Sequence, residues 1–109
     1  MKIFFILLTV LQLTVLAADK SKSDEIDHVA LAALLMKDGH YARAAETLNE
    51  ADTTKKEFDF IQYYTIKGLI FTKQQLYKVA NEQFYKAIES GQTEPSIYLY
   101  IAQNNFKLR

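Results

Sequence analysis

The stretch LYKVANEQFYKAIESG, residues 76–91, has a counterpart upstream in HYARAAETLNEAD, residues 40–52. Tyr41 and Tyr77, Ala44 and Ala80, Glu46 and Glu82, Leu48 and Phe84, and Ala51 and Ala87 make five matched pairs, each 36 residues apart. Matches at one offset mark a repeated structural unit. Within each copy the apolar and small residues advance by steps of three and four, which places them on one face of a 3.6-residue helix. Upstream that face holds Tyr41, Ala44, Ala45, Leu48 and Ala51, with Arg43, Glu46 and Glu50 opposite. Downstream it holds Tyr77, Ala80, Phe84, Ala87 and Ile88.

Each of these helices has a companion before it. Residues 24–37 read as a helix opened by Asp24, Glu25 and Asp27, because acids suit the positive end of a helix dipole. Gly39 in KDGHY permits the break before the helix at 41–52. After the polar TTKKE loop, residues 58–73 form a third helix, apolar around most of its girth at Phe60, Ile61, Tyr64, Gly68, Leu69 and Phe71. Such a helix must be covered on more than one side. The fourth helix stops at Ser90-Gly91, and Pro95 suits the opening of a fifth, since its missing N–H costs nothing there. That helix carries Tyr98, Leu99, Ile101, Ala102 and Phe106, more apolar surface than it can bury alone.

Helix pairs at this spacing, with Tyr-x-x-Ala-x-x-x-Phe/Leu-x-x-Ala in the second helix, resemble the tetratricopeptide repeat, or TPR. The resemblance covers everything after about residue 24 and extends to the first helices. There the small residue that lets helices approach is Ala32, Gly68 and Ala102, and an aromatic precedes it by four at Tyr64 and Tyr98. His28 stands in the aromatic place of the first copy, Lys67 replaces a usual leucine, and the closing proline comes late, at Pro95. The resemblance implies an all-α, TPR-type α-solenoid of antiparallel helix pairs. Residues 24–52 and 58–91 would be two repeats and residues 95–109 the first helix of a third, about two and a half repeats in all. In that arrangement Ala44 and Ala80 sit at helix crossings, while Leu48, Tyr77 and Phe84 fill the space between pairs. If Gly68 contacts the fourth helix, Gly68→Leu overpacks the crossing, whereas Gly68→Ala is expected to be mild or stabilising through its helix propensity.

Residues 1–17 have a lysine near the start, an apolar run over residues 3–16, and small residues at Ala17-Ala18. This is the outline of a secretory signal peptide, and cleavage would leave a chain beginning at Ala18 or Asp19. Retention as an anchor is the alternative, but the run is shorter than the ~18 apolar residues that span a bilayer. Residues 18–23 are a polar lead-in. The sequence has no cysteine, hence no disulfide, no lipid-acceptor thiol and no thiol nucleophile. It also lacks an Asn-x-Ser/Thr acceptor, which favours export in a bacterium, to the periplasm or the outer membrane, over a eukaryotic secretory route.

Thirteen basic and thirteen acidic residues cancel, so no global field draws in nucleic acid or anionic lipid. The glycines form no phosphate loop, and His28 and His40 have no second ligand pair at metal spacing. No nucleophile sits in a local motif with a base, so catalysis, cofactor and metal are not expected. Tyr63 and Tyr100 could stack on a sugar or a base, and packing between helices is the competing reading.

The first helices of a TPR line its concave groove, and the resemblance puts Val29, Ala33, Met36 and Lys37, then Gln62, Leu69 and Lys73, then Leu99, Phe106 and Lys107 on that face. Val29 and Ala33 occupy the first two places of the family's carboxylate clamp, which rules that clamp out. Lys37, Lys73 and Lys107 recur at separations of 36 and 34 and would form a ladder of positive charge along one edge. Met36, Leu69, Leu99 and Phe106 supply apolar contacts. The resulting expectation is an exported scaffold of the bacterial cell envelope that holds a peptide or partner domain in its groove, the lysine ladder suiting an acidic one. It would have no membrane span after cleavage. The alternative is the N-terminal adaptor of a larger envelope enzyme or polysaccharide-export protein.

Overall fold

Two aspartates open the first helix of each pair. The Asp27 carboxylate accepts the Ala30 amide at 3.1 Å and starts α1 (His28–Lys37), and the Asp59 carboxylate accepts the Gln62 amide at 3.1 Å and starts α3 (Phe60–Lys73). Each cap satisfies an amide that the first turn leaves without a partner. The computed structural model describes residues 25–109, and those residues form five helices and no strand. The others are α2 (Tyr41–Asn49), α4 (Tyr77–Glu89) and α5 (Ser96–Lys107). The leader at 1–17, the lead-in at 18–23 and Asp24 lie outside the described residues.

Three helix ends differ from the sequence expectation, each because of a contact that a side chain beside the end makes. The first helix opens at His28 instead of 24, since Asp27 spends its carboxylate on capping and Glu25 stays ahead of the helix. The second stops at Asn49 instead of 52, because Asp52 accepts both the amide and the hydroxyl of Thr54 and turns the chain. The third opens at Phe60 instead of 58. Phe58 precedes the cap and folds back onto Tyr63, with ring centroids 5.4 Å apart, so its apolar surface fixes the angle of entry.

The turns inside the two hairpins are copies of each other. Gly39 at φ +88° donates to Met36 O and His40 to Leu35 O; Gln75 at φ +63° donates to Thr72 O and Leu76 to Phe71 O. This pair of bonds closes a helix with one left-handed residue. The 36-residue offset of the sequence thus recurs in the backbone.

The buried residues make two clusters. Ala32, Ala44, Leu48 and Ile70 join α1, α2 and α3, while Ala80, Phe84, Ala87, Ile97 and Ile101 join α4 to α5. Gly68 of α3 lies against the fully buried Phe84 ring: a Cβ built there would stand 2.6 Å from two ring carbons. The space therefore has no room for alanine, contrary to the expectation of a mild Gly68→Ala. Between α3, α4 and α5 runs an amide network. Asn104 donates to Thr72 Oγ1 and to Asn81 Oδ1, both at 3.0 Å, and Asn81 donates to Asn105 Oδ1 at 2.9 Å. Buried amides are tolerated when bonded in this way, and their geometry fixes the angle at which α5 docks.

Candidate binding groove

α1 and α3 lie side by side, and the 55–59 segment passes over one end of the trough between them. There Val29, Ala33, Gln62, Ile66 and Phe58 line an open cleft of about 410 Å³. Val29, Ala33 and Gln62 were expected on this face. Ile66 and Phe58 were missed, Phe58 because it reads as the first residue of a helix when it is in fact the residue before the cap. A neighbouring cleft of about 430 Å³ continues past Ile26, His28, Glu50 and Lys55.

Lys55 Nζ pairs with Glu25, and His28 Nε2 stands 3.4 Å from Glu50 Oε2. The Thr54 hydroxyl, and after it the Thr54 amide, hold the Asp52 carboxyl below its ordinary value by bonding its ionised form.

Lys37, Lys73 and Lys107 stand in the last turns of α1, α3 and α5, all exposed, where the negative end of a helix favours them. They occupy corresponding places on the first helix of each unit. At ~1.5 Å of rise per residue, Lys37 lies roughly 12 Å along α1 from Val29 and Lys73 roughly 16 Å along α3 from Gln62, so these two lysines are at the end of the trough opposite the clefts.

The four apolar site residues divide into two kinds. Met36 and Leu69 are half-buried and packed against the two clusters, leaving only an edge for a partner. Leu99 and Phe106 are 58% and 67% exposed. Tyr63 and Tyr100 are engaged within the fold: Tyr63 meets Phe58 and lies under Lys67 Nζ, and Tyr100 stacks on Phe84 with centroids 5.8 Å apart. Packing accounts for both. Tyr98 and Ala102, expected at a helix crossing, are exposed on the side of α5 away from the core.

No protein-family model matches the chain, and no curated protein or solved structure resembles it closely enough to count as a match. Among the described residues no group of three or more His, Cys, Asp or Glu side chains is placed to hold a metal ion. No helix among them is long and apolar enough to cross a membrane.

Proposed function

We propose that this chain is a TPR-type scaffold of a bacterial cell envelope, exported by its leader, that holds an acidic peptide or partner segment along the trough formed by α1, α3 and α5. The observation that carries the reading is the recurrence of one hairpin at a 36-residue offset, with the same turn bonds after Met36 and Thr72 and a lysine at the same place before each turn. A repeated hairpin presents its first helices side by side, so a short extended segment can touch equivalent positions in succession. The reading draws on apolar edges from Met36 and Leu69, open apolar surface from Leu99, and a positive rim from the lysines. Neither the clefts nor the rim offers a nucleophile with a base, so binding rather than turnover is the chemistry this arrangement supports.

The test uses the chain as its native host leaves it, with an intact mass expected to begin at Ala18 or Asp19. Binding partners captured from that host's envelope fraction are compared with those captured by the Lys37→Glu, Lys73→Glu, Lys107→Glu triple variant. The substitutions lie on solvated helix ends, so the helical circular-dichroism signal is expected to stay unchanged. Association with an acidic partner should slow at least tenfold, and raising salt should produce the same loss in the unmodified chain. Equal yields from both proteins at low salt would discard the positive rim as a recognition element.

A further inference from the structure

The side of α5 turned away from the core is an apolar stripe with a symmetry of its own. Ile97, Ile101 and Asn104 face inward and are buried. On the opposite side Tyr98, Ala102 and Phe106 succeed one another at steps of four, so they stand in a row one turn apart. Tyr98 is 56% and Phe106 67% exposed, and Ala102 is exposed between them. Arg109, just past the Leu108 cap, reaches back to this row, its guanidinium lying 5.7 Å from the Phe106 ring centroid. At the other end of the helix stands Glu94, also exposed.

We propose that this stripe joins two copies of the chain in a two-fold dimer, with their α5 helices antiparallel and Ala102 on the axis. The row reads large, small, large from either end. Turned end for end about Ala102, it sets Tyr98 of one copy against Phe106 of the second, and Phe106 against Tyr98, while the two small residues allow the backbones to approach. The charges obey the same operation. Arg109 and Glu94 are seven and eight residues from Ala102 on opposite sides, so each Arg109 meets the Glu94 end of the other helix. Two parallel helices would instead bring Arg109 against Arg109. Opposed helix dipoles favour the antiparallel choice as well. A surface that complements itself in both shape and charge specifies a second copy as its occupant. One helix per copy buries less than the ~1,200 Å² of stable interfaces, so the dissociation constant should be about 10–100 µM.

The absence of cysteine from the sequence makes the geometry directly testable. In sedimentation equilibrium from about 5 to about 500 µM, the mass of the chain as its host leaves it should rise from one copy toward two. Ala102→Cys should form a disulfide-linked dimer under mild oxidation at least tenfold faster than Tyr85→Cys, an exposed control on α4. Ala102→Glu, which touches nothing in the core, should raise the dissociation constant at least tenfold with unchanged circular dichroism. Glu94→Arg should weaken association, and adding Arg109→Glu should restore it. A single-copy mass across the whole range, or Ala102→Cys crosslinking no faster than the control, overturns the proposal and leaves the stripe to a different partner. No ligand enters these measurements, so their failure would not bear on the trough.

Discussion

A methyl group added to Gly68 would fall 2.6 Å from Cδ1 and Cε1 of Phe84, a ring with no exposed surface that is itself stacked on Tyr100. Neither side can retreat. The first hairpin solves the same crossing differently, with Ala32 and Leu48 in the corresponding places and both buried. One copy therefore has a methyl group and a branched aliphatic side chain, and the other has no side chain and a ring, so the pair is what the fold conserves in volume. Alanine gains about 1 kcal/mol over glycine in a helix, while overpacking costs roughly 1–3 kcal/mol. Gly68→Ala is expected to lose stability, up to about 2 kcal/mol net, and Gly68→Leu to lose more. The decisive comparison in thermal melts is Gly68→Ala with Phe84→Leu, which recreates the first hairpin's pair. The double variant should be more stable than Gly68→Ala alone, and strictly additive losses would show that the two residues do not share a crossing.

At the scale of the element, the hairpin turns carry the second prediction. Gly39 and Gln75 both sit in the left-handed region, but only Gln75 has a Cβ that crowds the backbone there. Gln75→Gly removes that strain of ~1–2 kcal/mol and concedes part of it to the freer unfolded chain, for a net gain of about 0.5–1 kcal/mol. A denaturant midpoint unmoved or lowered would mean the Gln75 side chain contributes something that its backbone angle does not reveal. The same turn shows where the sequence is readable. Glycine at 39 announces its turn, whereas glutamine at 75 does not, and only the 36-residue offset reveals that a helix must end there. The helix starts were misplaced for a related reason. Asp24, Glu25 and Asp27 are all suitable near a helix opening, and Asp27 is distinguished only by the bond it makes to Ala30. Periodicity located every helix among the described residues, because burial of one face imposes it. Caps are set by single hydrogen bonds that composition does not rank.

Across the whole molecule α3 is the shared wall. Its Ile70 is buried in the α1–α2 cluster, with Tyr63 and Ile66 packed alongside, while Tyr64, Leu69 and Phe71 pack against the α4–α5 cluster. The all-round apolar pattern of residues 58–73 had required such cover on more than one side. The candidate site was less legible. Its lysines could be placed by offset alone, but the cleft under Phe58 depends on how a loop crosses a trough, and no periodicity encodes that. The outer helices are covered on one side only, with Leu34 of α1 61% exposed and Phe106 of α5 67% exposed. Local opening should follow this asymmetry. Releasing α1 exposes one face of α3, and releasing α5 uncovers α4, but opening α3 breaks both clusters and is equivalent to global unfolding. In native-state hydrogen exchange at low micromolar concentration, the mid-helix amides of α3 should therefore exchange slowest, with protection matching the global stability. Those of α1 should exchange at least tenfold faster through a sub-global opening whose denaturant dependence is smaller than that of α3. If α1 and α3 showed the same protection and the same denaturant slope, the hairpins would open only together, and α3 would have no special place in holding them.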